Sequence, residues 1–443
     1  MKFKTDFRLE EFVLTTEWED FPLDVQRRAI TCSVDLFNAL ILGSRSKPFE
    51  IGRKVAAEIF SAGDVAILGA KEHLSVIGAA TAMGHASNAY DIDDGHNIIR
   101  AHPGTSFIGG ILATAYKENS SYRDFLTALV HAYEVTIRMG RAVMDFYQFA
   151  HSSGSFGPAG IVTGVAKLKD YTKEKLQNAM GIAEFHAPLV PGIRSVAYPS
   201  MSKDGVPFGV MIGMLSIAEA ESGFTANKHL LEADKYQYLV DDLGVNYEIM
   251  NLYFKPYSCC RWAHPAIEAV LQVMKKERLT YEDIDSLTLY TFEKAIQLSK
   301  GIPTDADEAQ YNIAYPVAAA ILWGDVGMDQ LKKEAFRDPR IPRIMDKLKY
   351  KVDSEMENVF PEQRKCRAEV LTNDNRIIHS SICEPRGESK ENIDLSWVSE
   401  KFRRMSISLL TEVEQNNILE LLGESKTGTI REIVDTINTY LLK

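Results

Sequence analysis

Residues 122–144, YRDFLTALVHAYEVTIRMGRAVM, decide the fold class. Apolar side chains recur there at i, i+3, i+4 and i+7, the spacing of one helix face, with small residues between, so the segment reads as a long buried helix. Residues 25–42 and 173–187 carry the same period. With the Ala- and Gly-rich background of residues 23–223, they predict a helical first half. In residues 204–221, DGVPFGVMIGMLSIAEAE, Gly205, Gly209 and Gly213 recur every fourth position, which in a helix would let a neighbouring helix approach closely. The polar flanks exclude a membrane span.

Downstream the period changes. Residues 284–292, IDSLTLYTF, alternate and are rich in Leu, Thr and Tyr, and residues 366–371 and 377–383 flank TNDNR at 372–376, a turn signal between two strand-like runs. A smaller α+β unit follows from this pattern, with the charged, Pro-containing stretch 337–350 inside it. From residue 395 the chain returns to amphipathic helix that can pack back on the first unit.

The chain has 443 residues, 45% hydrophobic and 25% charged, enough for two or three units with their own cores and unlike disordered, collagenous or disulfide-stapled chains. Its net charge is −11, with no basic stripe, so nucleic acid is excluded as a partner and an anionic ligand requires a local cationic pocket. The N-terminal residues lack the apolar core of a signal peptide and no run approaches the ~18 apolar residues of a membrane span, which points to a cytoplasmic protein that does not engage a membrane. The five cysteines, Cys32, Cys259, Cys260, Cys366 and Cys383, fit a reducing compartment, and adjacent Cys259 and Cys260 lack the spacing of a structural zinc site. No phosphate-cradling glycine loop, HExxH or GxSxG motif occurs.

The densest polar run is 85–104, HASNAYDIDDGHNIIRAHPG, which crowds Asp91, Asp93, Asp94, His96, Arg100 and His102 together. Grouped carboxylates raise one another's pKa and suit acid–base work. His102 precedes Pro103 and an apolar run, which places it at a helix N-terminus, where backbone amides favour an anion. A second candidate, 149–157 (FAHSSGSFG), sets His151 before small residues that admit a ligand close to the backbone. Cations come from Arg194 and Lys203, and from Lys255 and Arg261, with His264, in FKPYSCCRWAHPAIEA. A lysine in so apolar a segment needs an anionic partner, and Arg supplies bidentate carboxylate geometry.

Five motifs in order (HASNAYDIDDGH…AHPG at 85–104, AHSSGSFGPAG at 150–160, SKDG at 202–205, KPYSCCRWAHPAIEA at 255–269 and AYPVAAAILWGD at 314–325) make the chain resemble the MmgE/PrpD family. The resemblance implies a mainly α fold: a large all-helical domain from residues 1–266 and 395–443, a smaller α+β lid domain from 267–394, an active site in the cleft between them, and a homodimer. It also implies a metal-independent lyase without cofactor, acting on a small di- or tricarboxylate as a 2-methylcitrate dehydratase or a cis-aconitate decarboxylase does. The family's pocket residues fall on Asp91, His102, His151, Lys203, Lys255 and Tyr315, with His264 at the family's spacing from Lys255. In this scheme Lys203, Lys255, Arg194 and Arg261 hold carboxylates, His102 and His151 move the proton alpha to one of them, Asp91 orients an imidazole or acts as base, and Tyr315 brings a hydroxyl from the lid. Two positions depart from the family's tricarboxylate enzymes: Gly95 replaces a hydroxyl residue, with one extra residue before His102, and Val206 replaces a histidine. Dehydration and decarboxylation are not separated by the sequence, and an epimerase or isomerase on the same fold is the alternative. From other classes come a Mg²⁺-dependent all-α enzyme built on the Asp-rich run and a non-catalytic binding protein.

Overall fold

The helix expected at 122–144 runs from Tyr122 to Tyr147. The Ser121 hydroxyl accepts from the Asp124 amide and the Asp124 carboxylate accepts from the Ser121 amide, which satisfies two otherwise orphaned donors of the first turn. The computed structural model describes residues 2–4, 7–148, 152–423 and 428–443. Helices also form at Leu23–Gly43, Lys173–His186 and Val206–Glu221, close to their expected limits. The helix Pro103–Glu118 lies at the centre of the bundle, packed against Val76–Ser87, Tyr122–Tyr147, Gly157–Leu168 and Val206–Glu221. The close approach expected of the spaced glycines occurs at two of the three. A Cβ on Gly209 would lie 2.7 Å from the Gly154 carbonyl oxygen, and one on Gly213 would lie 2.9 Å from Ile161 Cβ. Gly205 instead precedes the helix as its cap, with φ of 68°.

Two short antiparallel pairs are set among these helices: β1 (Ala62–Ala66) with β2 (His73–Leu74), and β3 (Gly95–His96) with β4 (Leu252–Tyr253). The smaller unit holds a four-stranded sheet of β5 (Ile284–Thr291), β6 (Leu348–Val352), β7 (Cys366–Thr372) and β8 (Ile377–His379) in the order β6-β5-β7-β8. β7 and β8 form the expected hairpin, and β7 pairs antiparallel with β5, setting Leu287 opposite Val370 and Leu289 opposite Ala368. β6 pairs parallel with β5 and lies in the charged stretch that gave no strand signal. As an edge strand it leaves Lys349 and Lys351 toward solvent and buries Leu348, so charge suits it and apolar alternation is missing.

Among the described residues two large hydrophobic cores result, with a small cluster of Ala39, Leu42, Ile92, Met328 and Met405 beside them. One draws on residues from Leu9 to Phe254 and again from Ile393 to Leu441, and the other on residues from Tyr257 to Val370. The chain crosses between them at residues 254–257, with Phe254 in the first core, Tyr257 in the second and Lys255 between. The C-terminal helix Leu395–Ser406 packs back on Leu23–Gly43, as expected, and buried Lys401 places Nζ 2.6 Å from Asp35 Oδ1 and 2.5 Å from the Ile92 carbonyl oxygen. Among the described residues, no helix is long and apolar enough to cross a membrane.

Candidate active site

The helix Val76–Ser87 ends in the Asp-rich run, and its three carboxylates, all buried, diverge. Asp91 holds a left-handed backbone with φ of 53°, a conformation Asp tolerates better than most residues, and its Oδ1 lies 2.7 Å from Lys255 Nζ. Asp93 accepts from the Asn88 side-chain amide and lies 3.2 Å from His102 Nδ1. Asp94 turns toward the bundle, where it accepts from the Gly104 amide at the start of the Pro103–Glu118 helix and from the Tyr133 hydroxyl. Burial pushes the Asp94 pKa up to about 7, assisted by the charges of Asp93 and Asp35 and opposed by the Tyr133 hydrogen bond.

His102 caps the Pro103–Glu118 helix, as its neighbours in sequence indicated. Its Nδ1 lies 2.8 Å from the Asp94 carbonyl oxygen, which can only accept, so Nδ1 carries the hydrogen. That leaves Nε2 as the basic nitrogen, 3.4 Å from Lys255 Nζ and 3.6 Å from Asp91 Oδ1. Lys255 is buried; desolvation alone would lower its pKa, but the charges of Asp91 and Asp93 outweigh it and hold the ammonium above its ordinary value. For Asp91, burial works upward, and Lys255, His102 and Lys203 together bring its pKa below the usual carboxylate value. A carboxylate, an ammonium and a basic imidazole nitrogen therefore sit in mutual contact.

They open on a cavity of about 220 Å³ lined by Asp91, His102, Lys255, Asp204, Arg261 and Arg364, among others. Arg261 stacks on the Tyr253 ring, with its guanidinium carbon 4.5 Å from the centroid, and is paired with Glu388 at 2.8 Å. Arg364 is 5% exposed and donates to Asn97 at 2.7 Å. Among the described residues no carboxylate lies within ion-pair distance of Arg364, and its Nε has no hydrogen-bond partner. A guanidinium stays protonated even where burial lowers its pKa, so Arg364 brings to the cavity wall a positive charge without a direct ion-pair partner, met only at longer range by Glu388 through Asn97. Cys260 also lines the cavity, but burial raises its thiol to about 12, which leaves no thiolate nucleophile. Asp91, His102 and Asp204 bring potential metal ligands within 4.8 Å of one another. The Lys255 ammonium already supplies the positive charge at Asp91, so these three residues together do not fit a metal ion.

The structure thus brings together Asp91, Arg100, His102, Lys255 and Arg261 among the residues singled out by sequence. His151 lies outside the described residues. Four others are placed away from the cavity wall. Lys203 spends its ammonium on the Asn88 and Ala89 carbonyl oxygens and Gln310 Oε1, which fixes the start of the Asp-rich loop from behind. Arg194 is exposed on the helix Gly192–Ala197, whose Gly192, Ile193, Ser195 and Val196 line the cavity instead. The Tyr315 hydroxyl donates to the Gln330 carbonyl oxygen inside the second core. His264 is fully buried, bridging the Cys259 carbonyl oxygen and Arg261 NH1; burial and the charges of Arg261 and Lys255 hold its pKa well below the usual value, so it positions Arg261 as a neutral ring.

Sequence reasoning missed Arg364, Asp204 and Tyr311. Tyr311 stands four residues before Tyr315, in the break between two helices, and lines the cavity; burial and the charges of Asp204 and Asp91 keep its hydroxyl protonated. Asp204 was within sight, as the residue after Lys203 in SKDG. Arg364 lies in a stretch without motif and carries no local signal. The two departures also have structural explanations. A Cβ on Gly95 would lie 2.2 Å from Tyr253 Cζ, so the ring that supports Arg261 fills the space of any side chain there. Val206 is buried at the first turn of its helix beside Lys203, in a small pocket separate from the cavity.

Two family models match the chain in tandem, the MmgE/PrpD N-terminal domain over residues 8–241 and the MmgE/PrpD C-terminal domain over residues 257–425. The gap between them falls at the crossing that carries Lys255. The chain is 22% identical over 450 residues to the cis-aconitate decarboxylase-like protein oryM of Aspergillus oryzae, covering 91% of each chain. It is 24% identical to the cis-aconitate decarboxylase of Aspergillus terreus over 95% of this chain and 93% of that one. Matched along nearly its whole length and built as a mainly α fold with a smaller α+β unit, the chain belongs to the MmgE/PrpD family.

Proposed function

We propose that the protein is a lyase for a small di- or tricarboxylate, working by proton chemistry at a carbon alpha to a carboxylate. The observation that carries this reading is His102: Nδ1 is fixed as donor to the Asp94 carbonyl, so a basic Nε2 faces the cavity beside the Lys255 ammonium. A substrate carboxylate seated on Arg364 supplies the direct ion-pair partner that residue lacks. Nε2 then takes the alpha proton, and the negative charge that develops on the adjacent carboxylate is met by Lys255, a donor already oriented in a site with little water to reorganise. Protonated Tyr311 is the group placed to return a proton to the product side. Asp91 keeps Lys255 charged and in place.

The same steps serve loss of water from a hydroxy acid or return of the proton to the opposite face as an epimerase; in loss of CO₂ from an unsaturated acid the departing carboxylate leaves its electron pair on the remaining acid, and the same groups instead deliver a proton to that carbon. The names of the A. terreus and A. oryzae relatives favour decarboxylation at an identity near one in four. Proton NMR in D₂O of the protein with citrate, 2-methylcitrate, cis-aconitate and aspartate-derived acids separates the three outcomes by product. Exchange or turnover with one acid supports the reading; silence with all of them contradicts it.

A homodimer is part of the same proposal. The helix Val206–Glu221 is apolar nearly all round, as buried helices are, yet Phe208 is 61% and Leu215 43% exposed on one face, and nearby Tyr198 is 83% exposed. Light scattering giving twice the chain mass is the expected result.

A further inference from the structure

Asp204 stands on the cavity wall and is 6% exposed. Ser152 donates its hydroxyl to Oδ1, and the Gly154 amide donates to the Asp204 carbonyl oxygen, so the residue is clamped at side chain and backbone. Its other carboxylate oxygen, Oδ2, is buried without a hydrogen-bond partner among the described residues. Buried acceptors are almost always satisfied, and each exception requires an explanation. One of its oxygens lies within 4.8 Å of ligand atoms of both Asp91 and His102, next to the proposed base. Lys203, the adjacent lysine, cannot serve Asp204, because its three hydrogens go to Asn88, Ala89 and Gln310.

Two residues of the cavity wall therefore carry unfilled polar requirements of opposite sense, on atoms buried within the wall. Arg364 Nε is a buried donor without an acceptor, and Asp204 Oδ2 is a buried acceptor without a donor. A carboxylate answers the first. It would aggravate the second, since two like charges would face each other in a poorly solvated place. Only a group bearing a hydrogen on oxygen or nitrogen answers the second.

We propose that Asp204 is a specificity-determining residue that selects, among small carboxylic acids, those carrying a hydroxyl or ammonium hydrogen-bond donor. The inference rests on the carboxylate-lyase reading above and narrows its substrate class: a hydroxy acid, or an amino acid, fits this wall and an unsubstituted or merely unsaturated acid does not. Sites built to hydrogen-bond a substrate hydroxyl reject the analogue that lacks it far more strongly than apolar pockets reject a missing methylene.

Matched acids test this by calorimetric titration of the full-length protein. Citrate and tricarballylate differ by one hydroxyl, as do malate and succinate, while aspartate and succinate differ by one ammonium. The wild type is expected to bind at least one donor-bearing member about 10-fold or more tightly than its partner, and Asp204→Ala to abolish that gap. The hydroxyl pairs and the ammonium pair tell which donor is meant. Asp204→Asn keeps the shape and an acceptor oxygen but loses the charge, so it narrows the gap without closing it and serves where the alanine variant does not fold. Equal affinities in the wild type, or a gap unchanged in either folded variant, overturn the inference and leave the lyase reading standing. Failure of every acid to bind overturns both.

Discussion

The Asp-rich loop and the segment around Arg364 are both buried and charged, and they differ in how the charge is met. In the loop each buried carboxylate is met within the chain: Asp91 has Lys255, Asp93 has Asn88 and His102, and Asp94 has the Gly104 amide and the Tyr133 hydroxyl. On the other wall Arg261 is paired with Glu388, but Arg364 has as its direct partner only the neutral side chain of Asn97. A buried charge that is fully paired costs little more when a ligand arrives and gains little from it, so it is suited to chemistry. One left short of a counter-charge gains most from a ligand, so it is suited to binding.

Removing Arg364 is the strongest way to break this comparison. Arg364→Ala is expected to raise KM for the acid about 10- to 100-fold, the scale of one lost charge-assisted hydrogen-bonded pair, with a much smaller change in kcat and little loss of folding stability. Steady-state kinetics and thermal melts read both. An unchanged KM would mean that the arginine does not meet the substrate.

A smaller effect comes from Asp94, the loop carboxylate that faces the bundle rather than the cavity. Its folded pKa of about 7 exceeds the ~3.9 of an unfolded Asp, so between these values folding takes up a proton, and the stability this group contributes is present at low pH and is lost as pH rises through 7. Asp94→Asn mimics the protonated form, accepting from the Gly104 amide and donating to Tyr133. Relative to the wild type its melting temperature should rise by a few degrees between pH 4 and pH 8; a constant difference would contradict the assignment.

The smallest effect belongs to Tyr315. Its hydroxyl is spent on the Gln330 carbonyl, so Tyr315→Phe should cost about 1 kcal/mol of stability and leave turnover within about twofold. Loss of turnover by a hundredfold would show that the second core opens to bring this residue to the substrate.

What sequence could show follows the same division. Helix 122–147, the β7–β8 hairpin and the crowding of Asp91, Asp93 and His102 are local in sequence, so periodicity and density exposed them. The edge strand β6 was hidden because two of its three exposed positions are lysines, which suit an edge. Arg364 reaches the cavity with no neighbour in sequence that announces it, whereas Asp204 follows Lys203 in SKDG, where the lysine drew the attention. Tyr315 and Lys203 show the reverse: they stand in recognisable motifs, yet their polar atoms are consumed by the scaffold. The tautomer of His102 is fixed by two acceptors at Nδ1, the Asp94 carbonyl and the Asp93 carboxylate, and the nearer of the two is a backbone atom with no side-chain signature.

The central claim is that His102 Nε2 takes the alpha proton. The direct test is the rate of alpha-proton exchange into D₂O, followed by NMR for the wild type and His102→Gln with the same bound acid. A fall of about 10²- to 10⁴-fold, with the acid's affinity and the melting temperature nearly unchanged, is the expected result. Exchange at the wild-type rate in a folded, substrate-binding His102→Gln protein would contradict the account.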